Sequence, residues 1–305
     1  MKVFVTGITG FIGSNLSKNI NDIFTLVGVS RSEIKGCFDY NALNVELLND
    51  SSAFIHLAGK AHDVKNITEE NEYFEVNTEL TKKIFDIFLD SKCSTFIFIS
   101  SVKAVADEVK TVLTENHEPA PITIYGKSKL DAENYILGKK IPKGKRVYIL
   151  RPCMVHGVNN KGNLNLLYRF VEKGFPYPLG EFENKRSFLS VENLCFVINE
   201  LLLNNSIPSG VYNVSDDEPI STKSIIEIIG KSTNKKIKIL RIPKRIIKMI
   251  ALIGNIIPIP INTEKVQKLT ENFIVSNSKI KKAIKKDLPL NSVQGLTKTI
   301  NSFNK

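Results

Sequence analysis

The chain opens MKVFVTGITGFIGSNL, and this stretch constrains the fold more than any other. The apolar run Val3-Phe4-Val5-Thr6 breaks into Gly7-Ile8-Thr9-Gly10-Phe11-Ile12-Gly13, and a helical pattern follows. A short run of this kind reads as a strand buried on both faces. Glycines permit a tight turn and let the backbone approach a ligand without an intervening side chain. The helix N-terminus behind them presents backbone N–H groups and partial positive charge, which suits a pyrophosphate. The spacing is G-x-x-G-x-x-G, not the G-x-G-x-x-G of the usual dinucleotide fingerprint.

Strand and helix then alternate. Strands are expected at 2–6, 25–29, 53–57, 95–100 and 146–150, with helices near 12–20, 70–89 and 124–137. This alternation implies an α/β fold with a doubly wound parallel sheet covered on both sides. Such sheets bind ligands at the carboxyl ends of their strands. After Pro152 the pattern changes. Helices are expected at 164–173, 191–203 and 222–230, and strands at 210–214 and 236–240. The division expected is 1–155 and a smaller α/β domain, 156–305, with the strand near 210–214 returning to the main sheet.

The 305 residues are 42% hydrophobic and 24% charged, which is ordinary for a globular chain. Lys2 leads directly into a strand, so no secretory signal is expected. Cys37, Cys93, Cys153 and Cys195 are scattered, which points to no zinc site, no disulfide framework and a reducing cytoplasm. His56, His62, His117 and His156 lack metal-ligand spacing and read as structural; no metal is expected.

Net charge is +11, unevenly placed: residues 231–305 hold 17 Lys+Arg and 3 Asp+Glu, leaving −3 for residues 1–230. The basic segment reads as a solvated lysine-rich face, with an anionic substrate or a membrane surface as the other partners to weigh. No nucleic-acid motif accompanies it. Residues 242–261 are the most apolar stretch, but contain Lys244, Arg245 and Lys248 and end in Pro258 and Pro260. A spanning helix needs about 20 mostly apolar residues, so no stable membrane insertion is expected. The stretch reads as a packed helix of the second domain, with an amphipathic surface helix as the alternative.

Tyr125-Gly126-Lys127-Ser128-Lys129 lies at the start of an expected helix, and Tyr125 and Lys129, four apart, share a helix face. A cation beside a phenol lowers its pKa from about 10, which makes a general acid/base for a sugar hydroxyl. The pair follows Thr95-Phe-Ile-Phe-Ile-Ser100-Ser101-Val102, a buried strand ending in two serines. Ser101 stands just past the strand end, where its hydroxyl can address the same substrate oxygen.

With Gly7, Gly10, Gly13, Ser101, Tyr125 and Lys129 in this order, the chain resembles the extended short-chain dehydrogenases/reductases, specifically the nucleotide-sugar epimerase/dehydratase group. The resemblance covers nearly the whole length and includes an RPxxVxG segment, Arg151-Pro152-Cys-Met-Val155-His-Gly157. It implies a Rossmann-type first domain, a second domain binding a nucleotide sugar, and a homodimer. It implies a cofactor, NADP or NAD, held by Gly7, Thr9, Gly10, Phe11, Ile12, Gly13, Asn77, Ser100, Tyr125, Lys129, Pro152 and Val155. His56-Leu57-Ala58-Gly59 resembles the family's H-L-A-A segment along the cofactor, with glycine in place of the last alanine. Asn163 and Leu164 resemble the pair that approaches the sugar-nucleotide phosphates, and Arg186 the arginine that grips the diphosphate.

Three departures bear on the reaction. Val102 and Lys103 stand where the family's 4,6-dehydratases carry an acidic pair, which argues against dehydration; Lys103 is a candidate substrate contact. The second strand ends Gly28-Val-Ser30-Arg31, without the acid that binds a ribose 2′-OH, so Arg31 leans the cofactor toward NADP. Asp39 and Asn44 lie too far along to serve as that acid. The loop Ser101–Asp107 lacks the V-Y-G of many 4-epimerases, and with Lys161-Gly-Asn163 it looks like a subgroup from surface-polysaccharide pathways. The expected function is a 4-ketoreductase of a nucleotide-activated 4-keto-6-deoxy-hexose or hexosamine. The alternative is a nucleotide-hexose 4-epimerase. A non-catalytic dinucleotide-binding module is a remote third reading, disfavoured because Tyr125 and Lys129 are both present.

Overall fold

The computed structural model describes all residues except 32, 33, 35, 61–69, 160, 161, 258–261 and 305, and the side chains of Asn163 and Asn304. His62 and Lys161 therefore lie outside the described residues. The strands are β1 Lys2–Thr6, β2 Thr25–Ser30, β3 Cys37–Asp39, β4 Ala53–His56, β5 Thr95–Ile99, β6 Arg146–Pro152, β7 Met154–His156, β8 Phe188–Ser190 and β9 Gly210–Val214. The helices are α1 Phe11–Asn19, α2 Val45–Asn49, α3 Glu70–Phe74, α4 Leu80–Asp90, α5 Ile124–Leu137, α6 Asn163–Glu172, α7 Val191–Leu203, α8 Thr222–Ser232, α9 Lys244–Ile253, α10 Thr263–Thr270, α11 Ser278–Ile284 and α12 Ser292–Asn301.

Seven strands form one parallel sheet in the order β3-β2-β1-β4-β5-β6-β9. Strand order reverses beside β1, so β1 and β4 flank the crevice where such sheets take ligands. The expected return of residues 210–214 is β9, paired with β6. Both faces are buried. Val3, Val5, Ile55, Ile97 and Ile99 point into one core, with α7 residues such as Leu194 and Ile198. Phe4, Phe54, Phe96 and Phe98 alternate into the other, with Phe85 and Phe88 of α4. Phe4, Phe54 and Phe96 stack in succession at 6.4 and 5.8 Å between ring centroids. This two-sided burial explains why the strands read as continuous apolar runs.

A third core gathers Leu164 and Tyr168 of α6, Ile225 and Ile229 of α8, Ile247 of α9 and Leu296 of α12. The parallel pair β7-β8 links it to the main sheet region.

Four elements differ from expectation. β3 and α2 are too short for periodicity to reveal. The expected helix 70–89 is interrupted by a π turn, Glu75–Glu79, with Asn77 buried inside it. The expected strand 236–240 makes only single bridges, Tyr177 with Ile239 and Leu179 with Arg241. Its neighbour carries Pro176 and Pro178, which lack the N–H groups a ladder needs. α9 is packed only in part. Ile247 and Ala251 are buried, while Ile246, Met249, Leu252 and Ile253 are exposed. Among the described residues no helix is long and apolar enough to cross a membrane.

Candidate active site

The glycine turn after β1 is closed against the exit of β4. Gly7 has φ +67°, and a Cβ there would lie 2.9 Å from the Ala58 nitrogen. A Cβ on Gly13 would overlap the Gly7 carbonyl oxygen, so the helix packs directly on the turn. Gly10 caps α1 without a side-chain hydrogen bond. The turn and the first amides of α1 thus form a cradle that side chains would fill, and they fit the pyrophosphate of a dinucleotide. Thr9 and Gly10 are exposed at its rim, while Phe11, Ile12 and Leu57 pack half-buried against the first core.

Thr6 ties the two strands together. Its Oγ1 accepts from the Ala58 amide at 3.0 Å and bonds His56 Nδ1 at 2.6 Å, while His56 Nε2 bonds Thr81 Oγ1 at 2.9 Å. Burial, with Lys129 nearby, lowers the His56 pKa to about 3, so the ring is neutral and structural.

Ser101 follows β5 and caps a short 3-10 turn, Val102–Ala104, its Oγ accepting from the Lys103 amide at 3.1 Å. Thr123 caps α5 through the Gly126 amide at 3.2 Å. Asp107 clamps the entry to that helix, accepting from the Ile122 and Thr123 amides at 2.7 and 3.0 Å. Burial works against the Asp107 carboxylate, but these amides and Lys103 hold its pKa below the ordinary value. A Cβ on Gly126 would overlap the Lys103 carbonyl oxygen, so this glycine lets the first turn of α5 press onto the turn after Ser101. The result is that the Ser101 hydroxyl stands close to the Tyr125 phenol.

Burial raises the Tyr125 pKa; the neighbouring Ser101 hydroxyl opposes the rise, and Tyr73, edge-on at 6.5 Å, adds to it. This corrects the expectation of a lysine-lowered phenol. The Lys129 ammonium instead donates to the Ile99 carbonyl at 3.0 Å and lies 4.9 Å over the Phe98 ring. Burial lowers its pKa to about 8, with Glu133 opposing. A Cβ on Gly59 would stand 2.8 Å from Lys129 Nζ and 3.0 Å from Asn77 Oδ1, so glycine here gives the ammonium its room.

Two expected cofactor contacts have structural partners. Asn77 accepts from the Lys60 amide at 2.7 Å and donates to the Lys60 carbonyl and Ser128 hydroxyl. Ser100 turns its hydroxyl to Glu133, which also receives the Arg151 guanidinium. Sequence reading passed over Glu133, although it lies four residues beyond Lys129 on the same helix face. It also passed over Thr123, a threonine directly before a helix, which is an N-cap signal. Pro152 is buried at the end of β6, and Val155 of β7 packs on the first core. A Cβ on Gly157 would meet Val191 and Phe11, so the RPxxVxG segment stands against α1.

The expected substrate contacts fall into two places. Lys103 Nζ donates to the Asp107 carbonyl at 2.7 Å and lies 4.8 Å over the Phe273 ring. Burial lowers its pKa, and Glu271 and Arg186 both act on it. Arg186 pairs with Glu271 at 3.2 Å and donates to the Lys268 carbonyl. Lys103 thus pairs with Asp107, at 3.8 Å, and Arg186 with Glu271, and the Glu271 carboxylate acts on both cations. Asn163 begins α6; the Leu164 side chain is buried in the third core, leaving its main chain at the helix N-terminus. At the other end of the sheet, Arg31 is exposed and acts on the Tyr40 phenol. Asp39 is not remote from the second strand: β2 and β3 pair Ser30 with Asp39, which places both at the carboxyl edge. The three-residue β3 hid this neighbour from sequence reading.

Known proteins share this architecture. The UDP-glucose 4-epimerase of Vibrio cholerae is 32% identical over 253 residues, covering 76% of each chain. The GDP-6-deoxy-D-mannose reductase of Pseudomonas aeruginosa is 25% identical over 263 residues, 80% of this chain and 84% of that one. Among solved structures, UDP-glucuronic acid 4-epimerase from Bacillus cereus in complex with NAD superposes with TM-score 0.76 at 20% identity, covering 100% and 99% of the chains. RMD from Pseudomonas aeruginosa complexed with NADPH gives 0.71 at 20%, covering 99% and 98%. A family model matches residues 3–215, from β1 past β9, and the chain belongs to the NAD dependent epimerase/dehydratase family.

Proposed function

We propose that this protein is an NADPH-dependent 4-ketoreductase of a nucleotide-activated 4-keto-6-deoxy-hexose or hexosamine, serving surface-polysaccharide synthesis in the cytoplasm as a homodimer. One observation carries the reading: the Ser101 hydroxyl stands close enough to the Tyr125 phenol to lower its pKa, at the carboxyl edge of the sheet, with Lys129 one helical turn behind. Residues 1–155 hold the dinucleotide in this reading, and 156–305 the sugar nucleotide.

NADPH, when bound, supplies hydride to C4. Its pyrophosphate is taken by the Gly7–Gly13 turn and the α1 amides, and its 2′-phosphate by Arg31. Tyr125 gives its phenolic proton to the C4 carbonyl oxygen as the alkoxide forms, and Ser101 donates a hydrogen bond to the same oxygen. A half-buried phenol with a raised pKa is protonated at neutral pH, which is the state a reductase needs at the start. Lys103 and Arg186 supply two cations for the substrate diphosphate. Val102 and Lys103 offer no carboxylic acid next to Ser101, so elimination of water is not part of the reading.

A second reading, 4-epimerisation, is favoured by the carboxylate of Asp39 beside Ser30, a group suited to an unphosphorylated ribose, and by the similarity to the Vibrio enzyme. Incubation with NADPH and a UDP-4-keto-6-deoxy-hexosamine separates the two. Stoichiometric NADPH oxidation supports the reductase. Interconversion of C4 epimers with bound NAD and no NADPH consumption replaces it with the epimerase.

A further inference from the structure

α9 presents an apolar surface that the site does not use. Ile246, Met249, Leu252 and Ile253 are 47–64% exposed, and in the turn after the helix Ile256 is 87% and Ile257 54% exposed. On a helix of 3.6 residues per turn, the first four fall within one arc of about 120°. The opposite side, Ile247 and Ala251, is buried in the third core, which fixes the orientation of the arc toward the exterior. Arg245 stands at the N-terminal end of the same arc and Lys248 at its edge, and both are exposed. Residues 231–263 contain eight Lys and Arg and no Asp or Glu. On the neighbouring α10, Glu264 is paired with Lys268.

We propose that α9 and the turn after it dock this protein onto an anionic lipid bilayer, with the apolar arc at the acyl boundary and Arg245 and Lys248 at the headgroups. A ten-residue helix is about 15 Å long, half the hydrocarbon thickness, so it lies in the plane of the surface and does not span it. Charge decides between lipid and a second copy of the chain. A two-fold contact through this arc would join two copies of the same basic surface, each carrying Arg245 and Lys248, with no acid from 231–263 to neutralise them. An anionic headgroup layer supplies the missing complement.

The test is co-sedimentation of the full chain with unilamellar vesicles of phosphatidylcholine alone or mixed with phosphatidylglycerol. Binding to the mixed vesicles is expected to exceed binding to phosphatidylcholine, and to weaken with added salt. Met249→Ser/Leu252→Ser, at exposed positions, is expected to weaken it about tenfold with an unchanged thermal midpoint. Arg245→Gln/Lys248→Gln is expected to abolish the phosphatidylglycerol preference. Equal sedimentation of the wild type and the Met249/Leu252 variant overturns the proposal. So does a wild-type dimer in light scattering that the same variant dissolves without vesicle binding, because the arc would then be a subunit interface.

Discussion

Arg151 forks onto Glu133, its Nε donating to both carboxylate oxygens at 3.0 Å, with Arg151 5% and Glu133 0% exposed. The pair joins the end of β6 to α5, and Ser100 adds the end of β5. It therefore braces the three elements that carry Pro152, Ser101 and Lys129. Removing one partner of a buried ion pair leaves the other charge uncompensated, at about 3–5 kcal/mol. Glu133→Gln is expected to lower the urea unfolding free energy by that order. Adding Arg151→Met is expected to restore most of it. An unchanged midpoint in Glu133→Gln would remove the brace from this description.

His56 makes the fold sensitive to acid. Its folded pKa is about 3, against an ordinary histidine value of 6.5. Between those values the unfolded chain binds a proton that the folded one does not, so stability falls as pH falls through that window. The slope from this group is about 1.4 kcal/mol per pH unit. Urea titrations at several pH values should show it, and His56→Gln should flatten the slope relative to the wild type. The same slope in both would contradict a buried neutral ring.

Lys129 gives a slope of the same sign in an alkaline window. Its folded pKa is about 8, below the ordinary 10.5. Between these values the unfolded chain holds the extra proton, so stability rises with pH across the window and the burial penalty is full below it. Lys129→Met is expected to be more stable than wild type at pH 7, by roughly 1–3 kcal/mol, with the gap closing toward pH 10. A variant less stable at pH 7 would show that the Ile99 contact outweighs the buried charge.

Gly59 tests the space around that ammonium. Gly59→Ala restores the residue at the end of the family's H-L-A-A segment, yet its Cβ would stand 2.8 Å from Lys129 Nζ. The far end of a lysine moves easily, so the thermal midpoint should shift little while kcat falls about tenfold through mispositioning. Equal kcat in the two proteins would show that Lys129 tolerates displacement.

Much of this molecule was legible because its signals are local. β1, the glycine turn, α5 and β9 follow from apolar runs, glycine spacing and helical pattern, and Ser101 and Tyr125 follow from position relative to a strand end. What was not legible depends on packing between distant segments. β3 has three residues, so only its pairing with β2 reveals Asp39 beside Ser30. The direction of the Lys129 ammonium was misread because helix spacing shows a shared face but not the Ile99 carbonyl that competes for it. The cluster of Lys103, Arg186 and Glu271 joins residues up to 168 positions apart, and nothing in their local sequence marks it. α9 was read as packed because its composition is apolar; only the fold shows which arc is left outside.

The most direct test of hydride transfer through Tyr125 is single-turnover nicotinamide absorbance on mixing enzyme, cofactor and nucleotide sugar. The wild type is expected to oxidise or form NAD(P)H in one exponential, and Tyr125→Phe to do so at least ~100-fold more slowly. Equal rates in the two proteins, or no absorbance change in the wild type with any 4-keto or 4-hydroxy nucleotide sugar, would contradict it.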